Sequence, residues 1–73
     1  MRIISQNGDI DYLYDNISLT IDGGCIVANY QGTSICVAIY SHYETAKMVM
    51  EMLHKIYNRM DMSVWQFPAE EEL

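Results

Sequence analysis

The sequence predicts an α+β domain: an antiparallel sheet of about five to six strands, arranged as a hairpin meander and covered by one amphipathic helix, in the order βββββ-α-β. Three observations carry that prediction. Short apolar/polar alternations, separated by Asn7-Gly8, Gly23-Gly24 and Gln31-Gly32, fill the N-terminal half. The stretch Ser41 to Met60 then repeats apolar residues at helical spacing. Ser63 to Phe67 returns to β-branched and aromatic residues before Pro68, which cannot extend a central strand.

Arg2 to Ser5 is the first predicted strand. Asn7-Gly8 reads as a two-residue hairpin turn, because both residues tolerate the positive φ of a type I′ turn. Ile10 to Tyr14 returns as the second strand, and Asp15-Asn16 breaks the run. Ile17, Leu19 and Ile21 alternate with Ser18 and Thr20, the pattern of a half-buried third strand. With Gly23-Gly24 as a two-residue loop into Cys25 to Tyr30, Ile21 faces Ile26, Leu19 faces Ala28 and Ile17 faces Tyr30. With Gln31-Gly32 as the next loop into Thr33 to Tyr40, Ala28 faces Ile35 and Ile26 faces Val37. The apolar set falls on one face across both turns, so turn chemistry and patterning agree on the register. The other face carries Cys25, Val27, Cys36, Ala38 and Tyr40, which is too apolar for open water. Either a second layer or another subunit is expected to cover it. In this register Cys36 opposes Val27 and has Cys25 only as a diagonal neighbour roughly 7 Å away, so both cysteines are expected as buried thiols.

The helix has a readable start. Ser41 followed by Glu44 fits a capping box, with the Ser41 hydroxyl accepting from the Glu44 amide. At about 100° per residue, Tyr43, Ala46, Val49, Met50, Leu53, Ile56, Tyr57 and Met60 share an arc of roughly 140°. Glu44, Lys47, Glu51, Lys55 and Asn58 lie opposite. Met48 and Met52 break this pattern, projecting beside Arg59 at the edge of the charged face. Scattered exposed apolar residues are ordinary. An i, i+4 methionine ridge also suits a partner surface, because thioethers adapt to what they meet.

At 73 residues, residues 1–68 are expected to form a single domain, with 69–73 as a disordered acidic tail. A chain this short sits near the margin of independent stability, which small domains offset with disulfides, metals or oligomerisation. Neither a CxxC pair nor clustered His/Cys spacing suggests a structural metal, so a homo-oligomer is expected. Neither a signal sequence nor a bilayer-length apolar run is visible, which predicts a cytoplasmic protein with reduced thiols. The net charge is −6, with Arg2, Lys47, Lys55 and Arg59 as the permanent cations. General nucleic-acid binding needs a basic stripe, and this composition disfavours it.

Catalytic sets are hard to assemble. His42 and His54 share a helix face but stand about 18 Å apart along the axis. Asp9, Asp11 and Asp15 lack the glycine and closing glutamate of a calcium loop. The glycines occupy hairpins and do not precede a helix, so they make no phosphate loop. A non-catalytic protein without a cofactor is the expectation. The aromatic content leaves a binding reading. Tyr12, Tyr14 and Trp65 are candidates to stack on a planar ligand, with Arg2 and Arg59 to hold a phosphate; the same aromatics also serve as core. The candidate subunit interface is Met48, Met52, Cys36, Ala38 and Tyr40.

The opening MRIISQNG, the segment AIYSHYETAKMVMEMLHKIY and the closing VWQFPAEEE resemble a group of short phage and prophage proteins of Gram-positive bacteria. The likeness covers both ends and the helix. The middle hairpins are shorter than is usual in that group, and Ser41-His42-Tyr43-Glu44 departs from its Ser-Thr-Glu-Glu. The resemblance implies a phage accessory protein that antagonises host antiviral defence by binding. Its target is expected to be a small nucleotide immune signal held between subunits, or a host defence protein that it masks. The alternative is a structural or regulatory interaction module with no small-molecule ligand.

Overall fold

Among the described residues, 1–59 and 63–73, a computed structural model contains two three-stranded sheets and one α-helix. The described elements are β1 (Arg2–Ile4), β2 (Asp11–Leu13), a 3₁₀ turn (Tyr14–Asn16), β3 (Ser18–Asp22), β4 (Cys25–Tyr30), β5 (Thr33–Ile39), α1 (Tyr43–Arg59), β6 (Val64–Gln66) and a second 3₁₀ turn (Glu70–Glu72). The fold is α+β. The end of the predicted helix at Met60 and the expected Asp61-Met62 connection lie outside the described residues.

The strands do not form one continuous meander. One sheet runs β2-β1-β6, with β2 antiparallel and β6 parallel to β1; the other runs β3-β4-β5 and is antiparallel. The division falls at Tyr14–Asn16. There the Tyr14 amide still extends the first sheet by bonding the Met1 carbonyl (2.9 Å), while Ile17 N–H turns back to the Tyr14 carbonyl (3.4 Å). The chain therefore leaves the first sheet before β3 begins.

Local chemistry sets the turns. Gly23 has φ +60°, and Gly23-Gly24 joins β3 to β4 as a two-residue loop. Gln31 (φ +49°) and Gly32 (φ +83°) join β4 to β5 with the paired positive angles of a type I′ turn. Asn7-Gly8 differs from expectation. The closing pair is Ser5 with Ile10, so the loop spans 6–9, and within Asn7-Gly8 only Gly8 takes a positive φ. Ser5 explains the wider loop: its buried hydroxyl donates to Asn7 Oδ1 (2.6 Å) and accepts from the Ile10 amide (3.1 Å).

The predicted pairs Leu19–Ala28, Ile21–Ile26 and Ala28–Ile35 are present, while Ile17, expected opposite Tyr30, falls just outside β3, whose last pair is Ser18–Asn29. One irregularity changes the outcome for β5. A β-bulge between Ile26 and Val27 sets Ile26 against Ala38 instead of Val37, and Val37 and Ala38 are both buried. The expectation of an open apolar face with Ala38 and Tyr40 on it is therefore corrected. Both lie in the core that the chain builds for itself, beside Ile3, Ile26, Trp65 and Phe67. The same region corrects the reading of the cysteines. Cys25 and Cys36 are joined in a disulfide, with Cα atoms 6.3 Å apart across the diagonal. Bulges increase local twist, and this separation lies within the reach of a disulfide. The expected reduced thiols are thus not what the structure contains.

The helix buries Ala46, Val49 and Leu53, and it packs over β3 and β4. Met48 and Met52 are exposed, as their angular position predicts, but Tyr43 is exposed as well. The predicted capping box is not formed. The first helical bond runs from Ala46 N to the His42 carbonyl (3.2 Å), while the Ser41 amide and hydroxyl both donate to Glu70 Oε1 (3.1 and 2.8 Å). That contact ties Glu70, in the stretch 69–73 expected to be a disordered tail, to the start of the helix. Residues 70–72 form a 3₁₀ turn, and Glu72 Oε1 accepts from the Ala69 amide (2.8 Å). Among the described residues, no helix is long and apolar enough to cross a membrane.

Candidate interaction surface

The β2-β1-β6 register decides whether the proposed ligand-binding residues can meet. Tyr12, Ile3 and Trp65 form one row across the sheet; Leu13, Arg2 and Val64 form the next. Successive residues of a strand project to opposite faces, so Arg2 stands on the reverse of the sheet from Tyr12 and Trp65. Its guanidinium is engaged there, donating from Nε and Nη2 to the Asp11 carboxylate at 2.9–3.1 Å. Tyr12 packs on Tyr30 (centroids 5.8 Å apart), and Trp65 is buried edge-on against Phe67 (4.8 Å). Tyr14 packs on Tyr57 (4.6 Å), whose hydroxyl donates to Asp15 Oδ1 (2.9 Å). Arg59 is exposed in the last helical turn. The five candidates are dispersed, and each aromatic among them packs on an aromatic outside the set.

Exposed apolar groups are the positive feature of this surface. On the helix, Met48 is 44% and Met52 37% exposed. On β5, Ile39 is 66% and Ile35 37% exposed, with Cys36 between them also exposed. Gln6, Asn7 and Cys36 to Ile39 line a small pocket of about 200 Å³ beside that strand. Drug-sized ligand pockets begin at about 300 Å³ and place polar groups to fix orientation. This pocket is smaller, and no cation lines it.

Gln6 is the residue that sequence reasoning missed. Its amide bonds the Val37 carbonyl (2.7 Å), its Oε1 accepts from the Ile39 amide (3.0 Å), and its Nε2 donates to the carbonyls of Ile39 (3.2 Å) and Pro68 (3.1 Å). The main-chain N–H and the carboxamide of one residue thus stand in for a strand along the end of β5 and tie the two sheets together. Neither periodicity nor propensity marks such a role, because it is defined by partners far away in sequence.

Tyr40 has the most displaced ionisation. Burial pushes its phenol up to about 12, and the nearby Glu70 and Glu72 charges add to that, against a hydrogen bond with Gln6 that pulls it down. The hydroxyl donates to the Pro68 carbonyl (2.7 Å). The folded-state value is above the unfolded value near 10, so the fold favours the protonated form. Its contribution to stability is fully present below about pH 10 and is lost as pH rises through the folded value. Tyr57, hydrogen-bonded to Asp15, and Tyr14, partly buried beside it, are displaced in the same direction. Denaturant midpoints should therefore fall between about pH 10 and 12, and Tyr40→Phe should make that decline shallower. An equal slope in the variant, or absorbance at long ultraviolet wavelength showing every tyrosine ionising together near its ordinary value, would remove this account.

Among the described residues, His42 and His54 are exposed, and no group of three or more His, Cys, Asp or Glu is placed to hold a metal ion. No family model matches this chain, and neither a curated protein nor a solved structure does.

Proposed function

We propose that this chain acts by binding, as a self-associating phage accessory protein that masks a component of host antiviral defence. The observation that carries the binding reading is the exposed Met48/Met52 ridge on an otherwise charged helix face. Thioethers gain from burial in surfaces of many shapes, and methionine is favoured at adaptable interfaces. The phage context rests on the resemblance at both chain ends and along the helix. Between the two targets, the geometry favours masking a protein over sequestering a nucleotide. Arg2 is committed to Asp11 on the far face from Tyr12 and Trp65, and the pocket beside β5 lacks a cation for phosphate. The alternative is a structural or regulatory interaction module of the same phage context, which would use the same ridge on a phage partner.

The test has two arms. Cyclic nucleotides and ADP-ribose variants should leave the melting temperature unchanged, because a ligand that prefers the folded state would raise it. A purified defence component that co-elutes with the wild type should be lost by the Met48→Glu/Met52→Glu variant. That variant should remain folded, since exposed substitutions usually stay within about 0.5 kcal/mol. A nucleotide-induced rise in melting temperature would favour sequestration instead. Co-elution undiminished in the double variant would remove the ridge from the argument.

A further inference from the structure

We infer that the open half of the β5 edge is a seam for a second copy of this chain, which adds its own β5 antiparallel across a two-fold axis at Ile35. This deepens the self-associating reading above and rests on it. β5 is an edge strand of the β3-β4-β5 sheet. Its last part is covered, because Gln6 bonds the main chain of Val37 and Ile39. Among the described residues, no backbone hydrogen bond from outside the sheet reaches Thr33–Cys36.

The register shows what that stretch offers. In a two-residue hairpin the residues flanking the turn exchange hydrogen bonds, here Tyr30 with Thr33, and Ala28 with Ile35 follows in the same phase. The main chains of Ser34 and Cys36 therefore point away from β4, toward the open edge. An axis at Ile35 pairs Ser34 of each copy with Cys36 of the other, so the same groups are used twice. The side chains agree with this arrangement. Leu19, Ala28 and Ile35 form one row across the sheet on the core side, and the row ends with Ile35 left 37% exposed. A second Ile35 continues it.

Charge selects this occupant. The chain carries −6, yet Thr33 to Ile39 contains no charged residue, no proline and no glycine. Two acidic copies can therefore meet at this edge without opposing carboxylates, and a basic partner would find nothing there to pair with. Edges with this composition are the ones that self-pair unless something blocks them.

Light scattering of the intact chain tests the inference. Wild type is expected at twice the monomer mass. Ile35→Lys, which sets two cations together at the axis, is expected at the monomer mass with unchanged circular dichroism. Ser34→Pro removes only an edge-facing N–H, and it should act the same way. Met48→Glu/Met52→Glu should stay at twice the monomer mass. A wild-type monomer overturns self-association and this seam together. A folded Ile35→Lys that keeps the doubled mass overturns the seam and leaves self-association standing. If both edge variants fail to fold, hydrogen exchange on the wild type decides. Protection of the Ser34 and Cys36 amides that rises with protein concentration supports the seam, and protection independent of concentration overturns it.

Discussion

Gly24→Ala is expected to destabilise the fold by about 3 kcal/mol or more, a large share of the stability of a domain this size. The reason is close approach of two backbones. A methyl group at Gly24 would sit inside the van der Waals shell of the Tyr40 carbonyl oxygen and press on its carbon. Neither side can yield cheaply. The Gly24 carbonyl accepts from the Tyr40 amide (2.8 Å), and Tyr40 is fixed at its other end by the bond from its hydroxyl to the Pro68 carbonyl. Relief would require opening the point where β4 begins and the chain turns into the helix. Gly23 provides the control. A Cβ there meets nothing within 4 Å, but its φ of +60° strains any side chain, so Gly23→Ala should cost only about 1 kcal/mol. Urea midpoints of the two variants measure the contrast. Equal losses, or a larger one at Gly23, would mean that the turn matters and the contact with Tyr40 does not.

Those adjacent glycines also mark how far the sequence could be read. The Gly23-Gly24 and Gln31-Gly32 hairpins were legible because their determinants are local: turn residues able to take the required φ, flanked by alternations that agree on register. The helix was legible from its spacing, and the exposure of Met48 and Met52 followed from angle alone. What the sequence did not carry is tertiary. Nothing in TSICVAI announces a bulge at Ile26/Val27, yet that one-residue offset buries Val37 and Ala38 together. It also accompanies the approach of Cys25 and Cys36 that local counting argued against. Ser41 does engage a glutamate, but the partner is Glu70, 29 positions away, and not Glu44, three positions on. The dispersal of the proposed ligand residues was hidden for a related reason. Alternation places Arg2 and Tyr12 on faces only after the pairing is known, and the pairing of β6 beside β1 spans nearly the whole chain.

Leu53→Ala and Met52→Ala, neighbours in sequence, should differ by about 3 kcal/mol or more in their effect on stability. Leu53 is fully buried where the helix lies over β3 and β4, so truncation loses its transfer free energy and leaves a cavity that a small core cannot collapse around. Comparable Leu→Ala changes cost about 2.7–5.0 kcal/mol. Met52, one residue earlier, points away from that core. Alanine there improves helix propensity slightly and removes a thioether that is already partly in water, so the expected change is within about 0.5 kcal/mol. Chemical denaturation at several protein concentrations checks both. The Leu53 loss should be independent of concentration, since the contact lies within one chain. A Met52 loss approaching that of Leu53 would show that the methionine is buried in the protein as it exists in solution. The ridge would then already be covered, and the masking reading would need another surface.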